Sequence, residues 1–372
     1  MLGSLPLKDF MQFLTDLATT PGPSLQEKPR RLLLESFLND AGVPTETDPA
    51  DNLWVSLGRD EINEDWCDAV VYDAHIDVVE RGYVPEVRCE KENLIGMGVG
   101  DNLTAVAMLA FLAKRVTTER ILLKRPLKLL FSVGEEGSGN LKGVRRVVKD
   151  HPIPPYLFIA FDLSFEEYSI TGLGSRRYCV KVRCPGGHSW DDFGSPNAIE
   201  QIIDLLSFLK DASISIASEN QKIISFNIGS IRGGEGINSI ARFAEAAFEF
   251  RSPFPEMLDK MAHALSDLLV KIKGQKGVSV CHEIIGERPA AQAVHPERIE
   301  PIIYRLLAEQ GENPSCSTRS TNINIPLSAG WPSICIGLCR CGRYHSEEEY
   351  VEIGSLGQGW ELLNNLTKKL MA

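Results

Sequence analysis

A small set of side chains in this sequence has the types and placement to hydrolyse a carbonyl compound. His75, Asp77, Glu135, Glu136, Asp162 and His345 each follow a short apolar run, and Asp101 follows the glycines of Gly96-Met97-Gly98-Val99-Gly100. Imidazoles and several carboxylates gathered at one sheet edge repel one another unless a cation sits among them. Zn²⁺ takes imidazole nitrogen and carboxylate oxygen readily. Two ions could share one bridging carboxylate, each keeping its own histidine and one further carboxylate. They would polarise a carbonyl and lower the pKa of a water between them to about 7. A carboxylate outside the ligand set must then carry the water's proton to the leaving nitrogen. Each residue alone has an ordinary explanation, as a helix cap, a solvated loop charge or a packed strand residue. The joint pattern carries the argument.

The elements that must position these residues follow from hydrophobic patterning. Ala69 to Val78 and Leu127 to Val133 are short apolar runs rich in β-branched residues, as in buried strands. Tyr156 to Leu163 and Trp331 to Leu338 read the same way. Leu103 to Val116 predicts a helix opened by Asp101 and Asn102 as capping residues. Further helices are expected over Met1 to Thr20, Gln26 to Ala41, Pro296 to Gln310 and Ile353 to Leu370. In an open parallel sheet, function gathers beyond the carboxyl ends of the strands, where this set falls.

The middle of the chain differs. Strands are expected over Arg176 to Arg183, Ile223 to Ile231, Ala241 to Arg251 and Gly277 to Ile285, with helices at Pro196 to Lys210 and Pro255 to Ile272. The order strand, helix, strand, strand, helix, strand is the split βαβ, ferredoxin-like pattern. The predicted fold is therefore α/β, a mixed, mainly parallel sheet flanked by helices. An inserted ferredoxin-like α+β domain, 174–286, interrupts a catalytic domain made of 1–173 and 287–372.

Composition narrows the partners. The 372 residues are 43% hydrophobic, enough for a sizeable core without a structural staple, so a bound metal is expected to be catalytic. The net charge of −11 argues against nucleic acid and anionic membranes. Met1 to Thr20 has neither a basic leader nor a small-residue cleavage site, and no apolar run reaches membrane-spanning length. The nine cysteines are odd in number and follow no framework spacing, so free thiols in a reducing, cytoplasmic setting are expected. Cys335, Cys339 and Cys341 cluster without a second pair at zinc-finger spacing.

At these residues the chain resembles the metallopeptidase family of aminoacylase, acetylornithine deacetylase, succinyl-diaminopimelate desuccinylase, carboxypeptidase G and peptidase T. The matching segments are Asp73-Ala74-His75-Ile76-Asp77-Val78, Gly96 to Asn102, Gly134-Glu135-Glu136-Gly137 and Phe161-Asp162. They continue with Gly186-Gly187-His188-Ser189 and with Tyr344-His345-Ser346 leading to Glu349. The resemblance implies two Zn²⁺ per chain, with Co²⁺ or Mn²⁺ as alternatives. Asp101 would bridge them, His75 and Asp162 would hold one, and Glu136 and His345 the other. It implies Glu135 as general base, Asp77 behind His75, and a cis peptide after Asp101. In the inserted domain, which the family uses as a lid, it implies His188 as oxyanion donor and Asn238 and Arg251 as substrate-binding residues. It also implies a homodimer through that domain.

Two positions depart from the family pattern. Asn322 stands where many members carry Asp, which is expected to remove a charge on the substrate side. Glu249 stands where an Asp often precedes the lid arginine by two. The expected activity is cleavage of a small peptide by a di- or tripeptidase, an aminopeptidase or other exopeptidase. The alternatives are a deacylase of N-acyl amino acids, acetylornithine deacetylase-like, and an inactive binding protein on the same fold.

Overall fold

The structure, a computed structural model, describes residues 4–58, 66–80, 85–311 and 313–371. The first residues of the predicted amino-terminal helix, Met1 to Gly3, lie outside them. The chain divides into two compact units. One comprises Met1–Gly172 with Gln292–Ala372, and the other is Leu173–Ala291.

The first unit is built on a mixed sheet with a parallel centre. Its strands run in the order Glu46–Thr47, Leu53–Leu57, Leu127–Ser132, Val70–His75, Leu157–Phe161, Ser333–Ile336 and Glu167–Gly172. The four strands from Leu127–Ser132 to Ser333–Ile336 are mutually parallel neighbours. Every residue of Val70–His75 is buried, as expected of a central strand covered on both faces. The helix Thr104–Thr118 buries eleven of its residues against this sheet, and the helices Leu7–Thr19 and Lys28–Asp40 pack on it in turn. Its many alanines permit that close approach. Phe13 stacks on Phe37 at 3.9 Å between ring centroids, and Phe10 meets Phe111 edge-on at 5.5 Å. Asp101 and Asn102 do not cap the helix as the sequence predicts. It starts at Thr104, no side chain caps it, and the Asp101 carboxylate is turned toward imidazoles instead.

A second, small sheet joins distant parts of this unit. Cys341–Gly342 pairs with Tyr350–Glu352, which pairs with Asn93–Ile95, which pairs with Arg88–Glu90. These strands are too short for hydrophobic periodicity to signal. Their effect is to bring the loop carrying His345 beside the glycine turn that precedes Asp101.

The second unit has a four-stranded sheet, a short two-stranded ladder and two long helices. Its sheet order is Ser225–Gly233, Phe243–Ser252, Gly174–Arg183, Ser279–Arg288, with antiparallel neighbours throughout. With helices Ala198–Asn220 and Pro255–Lys273 this is the split βαβ arrangement. Burial alternates along all of Phe243–Ser252, so Phe248 and Phe250 face the helices while Glu249 and Arg251 face away. The first helix is longer than its sequence predicts. Asn197 caps it at the Ile199 amide, and Ala212, Ser213 and Ile216 still pack inward, which outweighs the weak helix propensity of the Ser/Ile-rich end. The last strand likewise runs on to Arg288, past the Gly286 boundary expected from sequence.

Candidate metal centre

The site forms where the central strands of the first unit end. His75 is the last residue of its strand and is 1% exposed. Its Nε2 lies 3.0 Å from Asp101 Oδ1 and 3.7 Å from Asp162 Oδ1. The other oxygen of Asp101, Oδ2, lies 3.2 Å from His345 Nε2, which is 2.8 Å from Glu136 Oε1. One carboxylate thus stands between two imidazoles, and each imidazole presents the same Nε2 to a second carboxylate. The Asp101–Asn102 peptide is cis. His345 adopts a left-handed backbone, φ 62°, a region that few non-glycine residues occupy and that recurs at functional sites.

Close packing brings the Asp101 turn into place. Gly98 has φ +82°, and a side chain at Gly100 would put its Cβ 2.6 Å from that of Cys341. Glycine is therefore required twice for the turn to reach Asp101.

Asp77 contacts more than His75. Its Oδ1 is 3.4 Å from His75 Nδ1 and accepts the Glu135 amide at 3.0 Å. Its Oδ2 accepts the Glu136 amide at 2.9 Å and the Ser24 hydroxyl at 2.7 Å. One buried carboxylate therefore holds a histidine and the backbone of both loop glutamates. Glu135 itself is 4% exposed, and its charge is felt at Asp73, Glu136 and Asp162.

Electrostatics reflect this crowding. Burial and the Asp101 charge push Glu136 up to about 7, and the same causes raise Asp162 well above the carboxylate range. Hydrogen bonds to Asp101 and Glu136 lift His345 to about 11. Burial opposes the His75 cation, but bonds to Asp101, Asp162 and Asp77 outweigh it and raise its pKa. Burial also opposes the Asp101 charge, and the two imidazoles overcome it and hold Asp101 well below its usual value. His75, Asp101 and Glu136 place their donor atoms within 4.8 Å of one another. Convergent imidazole nitrogen and carboxylate oxygen are the donors that zinc and similar divalent ions take, so the residues fit such an ion.

Three positioning residues escaped the sequence reading. Ser24 is one. Glu27 is another: its Oε1 accepts the Leu25 amide at 2.8 Å and the Gly134 amide at 3.0 Å, at the base of the Glu135 loop. The third is Arg30, whose fully buried guanidinium donates to the carbonyls of Leu17, Thr20, Gly22 and Ile76. In sequence they look like ordinary surface residues, and only their clustering around the start of a helix could have drawn notice. Arg30→Met should destabilise the protein by at least about 3 kcal/mol, because buried acceptors lose charged donors. Urea unfolding measures this, and a change under about 1 kcal/mol would refute it.

Asn322 requires a correction. It is not placed to tune charge on a substrate side. It is 2% exposed, and its Nδ2 donates to Asp73 Oδ2 and Ser132 Oγ, both at 2.8 Å, within the sheet. Burial pushes Asp73 up to about 7, and this amide opposes the shift.

The remaining candidates belong to the second unit. His188 pairs with Ser239 in a short ladder, and its amide donates to Asp192 Oδ2 at 2.7 Å. Its imidazole is half exposed, with Nδ1 3.3 Å from Asp191 Oδ2. Asn238 is exposed, and its carbonyl accepts the Ser189 amide at 3.0 Å. Arg251 donates from Nε to Glu249 Oε1 at 2.8 Å, and Arg177 donates to the other oxygen of Glu249 at 3.2 Å.

Residues 71–369 match the model of peptidase family M20/M25/M40, over most of the chain and all five candidate ligands. The chain belongs to peptidase family M20/M25/M40. It is a hydrolase acting on peptide or amide bonds. Among curated relatives, an acetylornithine deacetylase of Pasteurella multocida (strain Pm70) is 23% identical, with 97% of each chain covered. The fold also matches a tripeptidase from Staphylococcus aureus subsp. aureus Mu50, with a TM-score of 0.81 at 16% identity over 99% of this chain and 100% of that one. It matches aminopeptidase PepT from Bacillus cereus ATCC 10987, with a TM-score of 0.74 at 17% identity and both chains fully covered. All nine cysteines of this M20 chain are free thiols, and no described helix is long and apolar enough to cross a membrane.

Proposed function

We propose that this M20-family chain hydrolyses a small peptide at a two-metal centre held by His75, Asp101, Glu136, Asp162 and His345. The observation that carries the proposal is Asp101, whose two oxygens face different imidazoles, each with its own further carboxylate. When bound, divalent ions such as Zn²⁺, Co²⁺ or Mn²⁺ supply Lewis-acid polarisation of the substrate carbonyl and a water of lowered pKa. Glu135 takes the proton of the attacking water and passes it to the leaving nitrogen. Asp77 fixes His75 and keeps the amides of Glu135 and Glu136 in register. On the second unit, His188 is assigned to the developing oxyanion, Asn238 to the substrate backbone and Arg251 to a substrate carboxylate, which its guanidinium suits.

The peptide reading is supported by the fold likeness to a tripeptidase and to PepT. A second reading, deacylation of an N-acyl amino acid, is favoured by the acetylornithine deacetylases among the relatives in sequence. Both use the same centre. Incubating the zinc-loaded protein with mixed dipeptides, tripeptides and N-acyl amino acids, then weighing products by mass spectrometry, decides between them. No product from any class would overturn both.

Ligand protons must leave when a metal enters. His345 is raised to about 11 by its carboxylate partners, so it holds a proton at pH 6.5 in the metal-free protein. Zinc uptake at that pH should release about one proton or more per chain, and affinity should fall as pH falls. Calorimetry in buffers of different ionisation enthalpy measures the release. Uptake without proton release would count against this ligand set.

The proposal includes a homodimer through the second unit. Its edge strand Ser225–Gly233 is exposed almost throughout and presents Ile228 and Ile231. Unpaired edges of this kind invite pairing with another chain. Sedimentation would detect the dimer, and an active monomer would exclude it.

A further inference from the structure

Glu349 lies outside the ligand set, yet it touches the backbone of two of its members. It is 1% exposed. Its Oε1 accepts the amides of Gly100 and Asp101, both at 2.9 Å, and its Oε2 accepts the amide of His345 at 3.2 Å. Its own carbonyl accepts the Gly96 amide at 2.9 Å, at the start of the same glycine turn. One carboxylate therefore clamps two loops that lie far apart in sequence.

The clamp bears directly on the geometry between them. Asp101 Oδ2 and His345 Nε2 are 3.2 Å apart, and the Glu136 carboxylate meets the same nitrogen at 2.8 Å. His345 sits in a left-handed conformation that its own chain does not favour. An amide acceptor at this position offsets that cost. Asp77 does the equivalent on the other flank, where it receives the amides of Glu135 and Glu136. The centre is thus held between two buried carboxylates that accept backbone N–H groups and leave the ligand side chains free to converge.

We propose that Glu349 is a positioning residue that sets Asp101 against His345 for metal capture, a role that rests on the metal reading above. Holding the small sheet together is a separate task, done by backbone pairing of Tyr350 with Ile95 and Val351 with Leu94. That separation makes the proposal testable. Glu349→Ala removes the acceptors for all three amides and leaves those strand pairs in place. Glu349→Gln keeps the shape and one acceptor oxygen, but it presents an NH₂ group to one set of amides.

The experiment is zinc titration of wild type and both variants against a chromophoric chelator, with metal counted after dialysis and folding checked by circular dichroism. Outer-shell changes typically weaken metal affinity by about 10–100-fold. Glu349→Ala should weaken one of the two sites by that factor, so that dialysed protein retains about one ion per chain. Glu349→Gln should fall between it and wild type, and Glu349→Asp should recover less than Gln because its carboxylate is one methylene short of the amides. A merely structural role would lower thermal stability and leave zinc affinity unchanged in the folded variants. Two wild-type affinities in folded Glu349→Ala would overturn the proposal alone. If Glu349→Ala does not fold, the same result in Glu349→Gln overturns it. Absence of zinc binding by wild type would overturn the metal reading and this role with it.

Discussion

Glu135→Gln should lower kcat by at least about 10²-fold while the protein keeps its full metal content and nearly its full KM. The expectation follows from how two adjacent glutamates divide the work. Both are anchored through their amides on Asp77. The Glu136 carboxylate meets His345 at 2.8 Å, in keeping with its place in the proposed ligand set. Glu135 is 4% exposed and its charge raises Glu136 and Asp162, so it stands near the same centre. Glutamine preserves its volume and an acceptor oxygen but cannot take up a proton. Loss of kcat with metal and KM retained is the signature of a missing base. Steady-state kinetics on the substrate found by mass spectrometry, beside metal analysis, reads both quantities. A variant keeping more than about a tenth of wild-type kcat would remove Glu135 from the mechanism.

The second large effect is expected at Asp101. Asp101→Ala should bring activity to background and weaken metal binding by more than the about 10–100-fold that outer-shell changes cost. The reason is geometric. Asp101 is the residue whose oxygens reach both imidazoles, so its loss touches both halves of the centre at once. The substitution leaves the Gly100 and Asp101 amides on Glu349 intact, so the turn keeps its anchor. Metal content after dialysis and activity with added zinc test it. Two retained ions with substantial activity would show that Asp101 does not bridge.

Much of this was legible before any coordinates. Buried strands announce themselves as apolar runs, and polar residues at their ends are therefore conspicuous. His75, Glu135, Glu136 and Asp162 stood out for that reason. Where the reading failed, local chemistry had a second use for the same residue type. Asp101 was expected both to cap a helix and to bridge metals, and its carboxylate faces two imidazoles and caps nothing. Asn322 looks like a loop residue facing substrate, and only its bonds to Asp73 and Ser132 reveal an interior link. Arg30 looks like a surface charge on a helix, although its four carbonyl partners sit in the core.

The amino-acid sequence by itself determined the alternation of elements, the α/β class, the ferredoxin-like order of the middle segment and the chemical types gathered at the strand ends. These depend on periodicity and composition, which are local. Tertiary structure alone decided how the ligand loops meet. His345 reaches Asp101 through a four-stranded ladder of very short strands and the Glu349 carboxylate, across more than two hundred residues of intervening chain. Such contacts leave no period in the sequence, because one buried acceptor and a few backbone pairs are enough to make them.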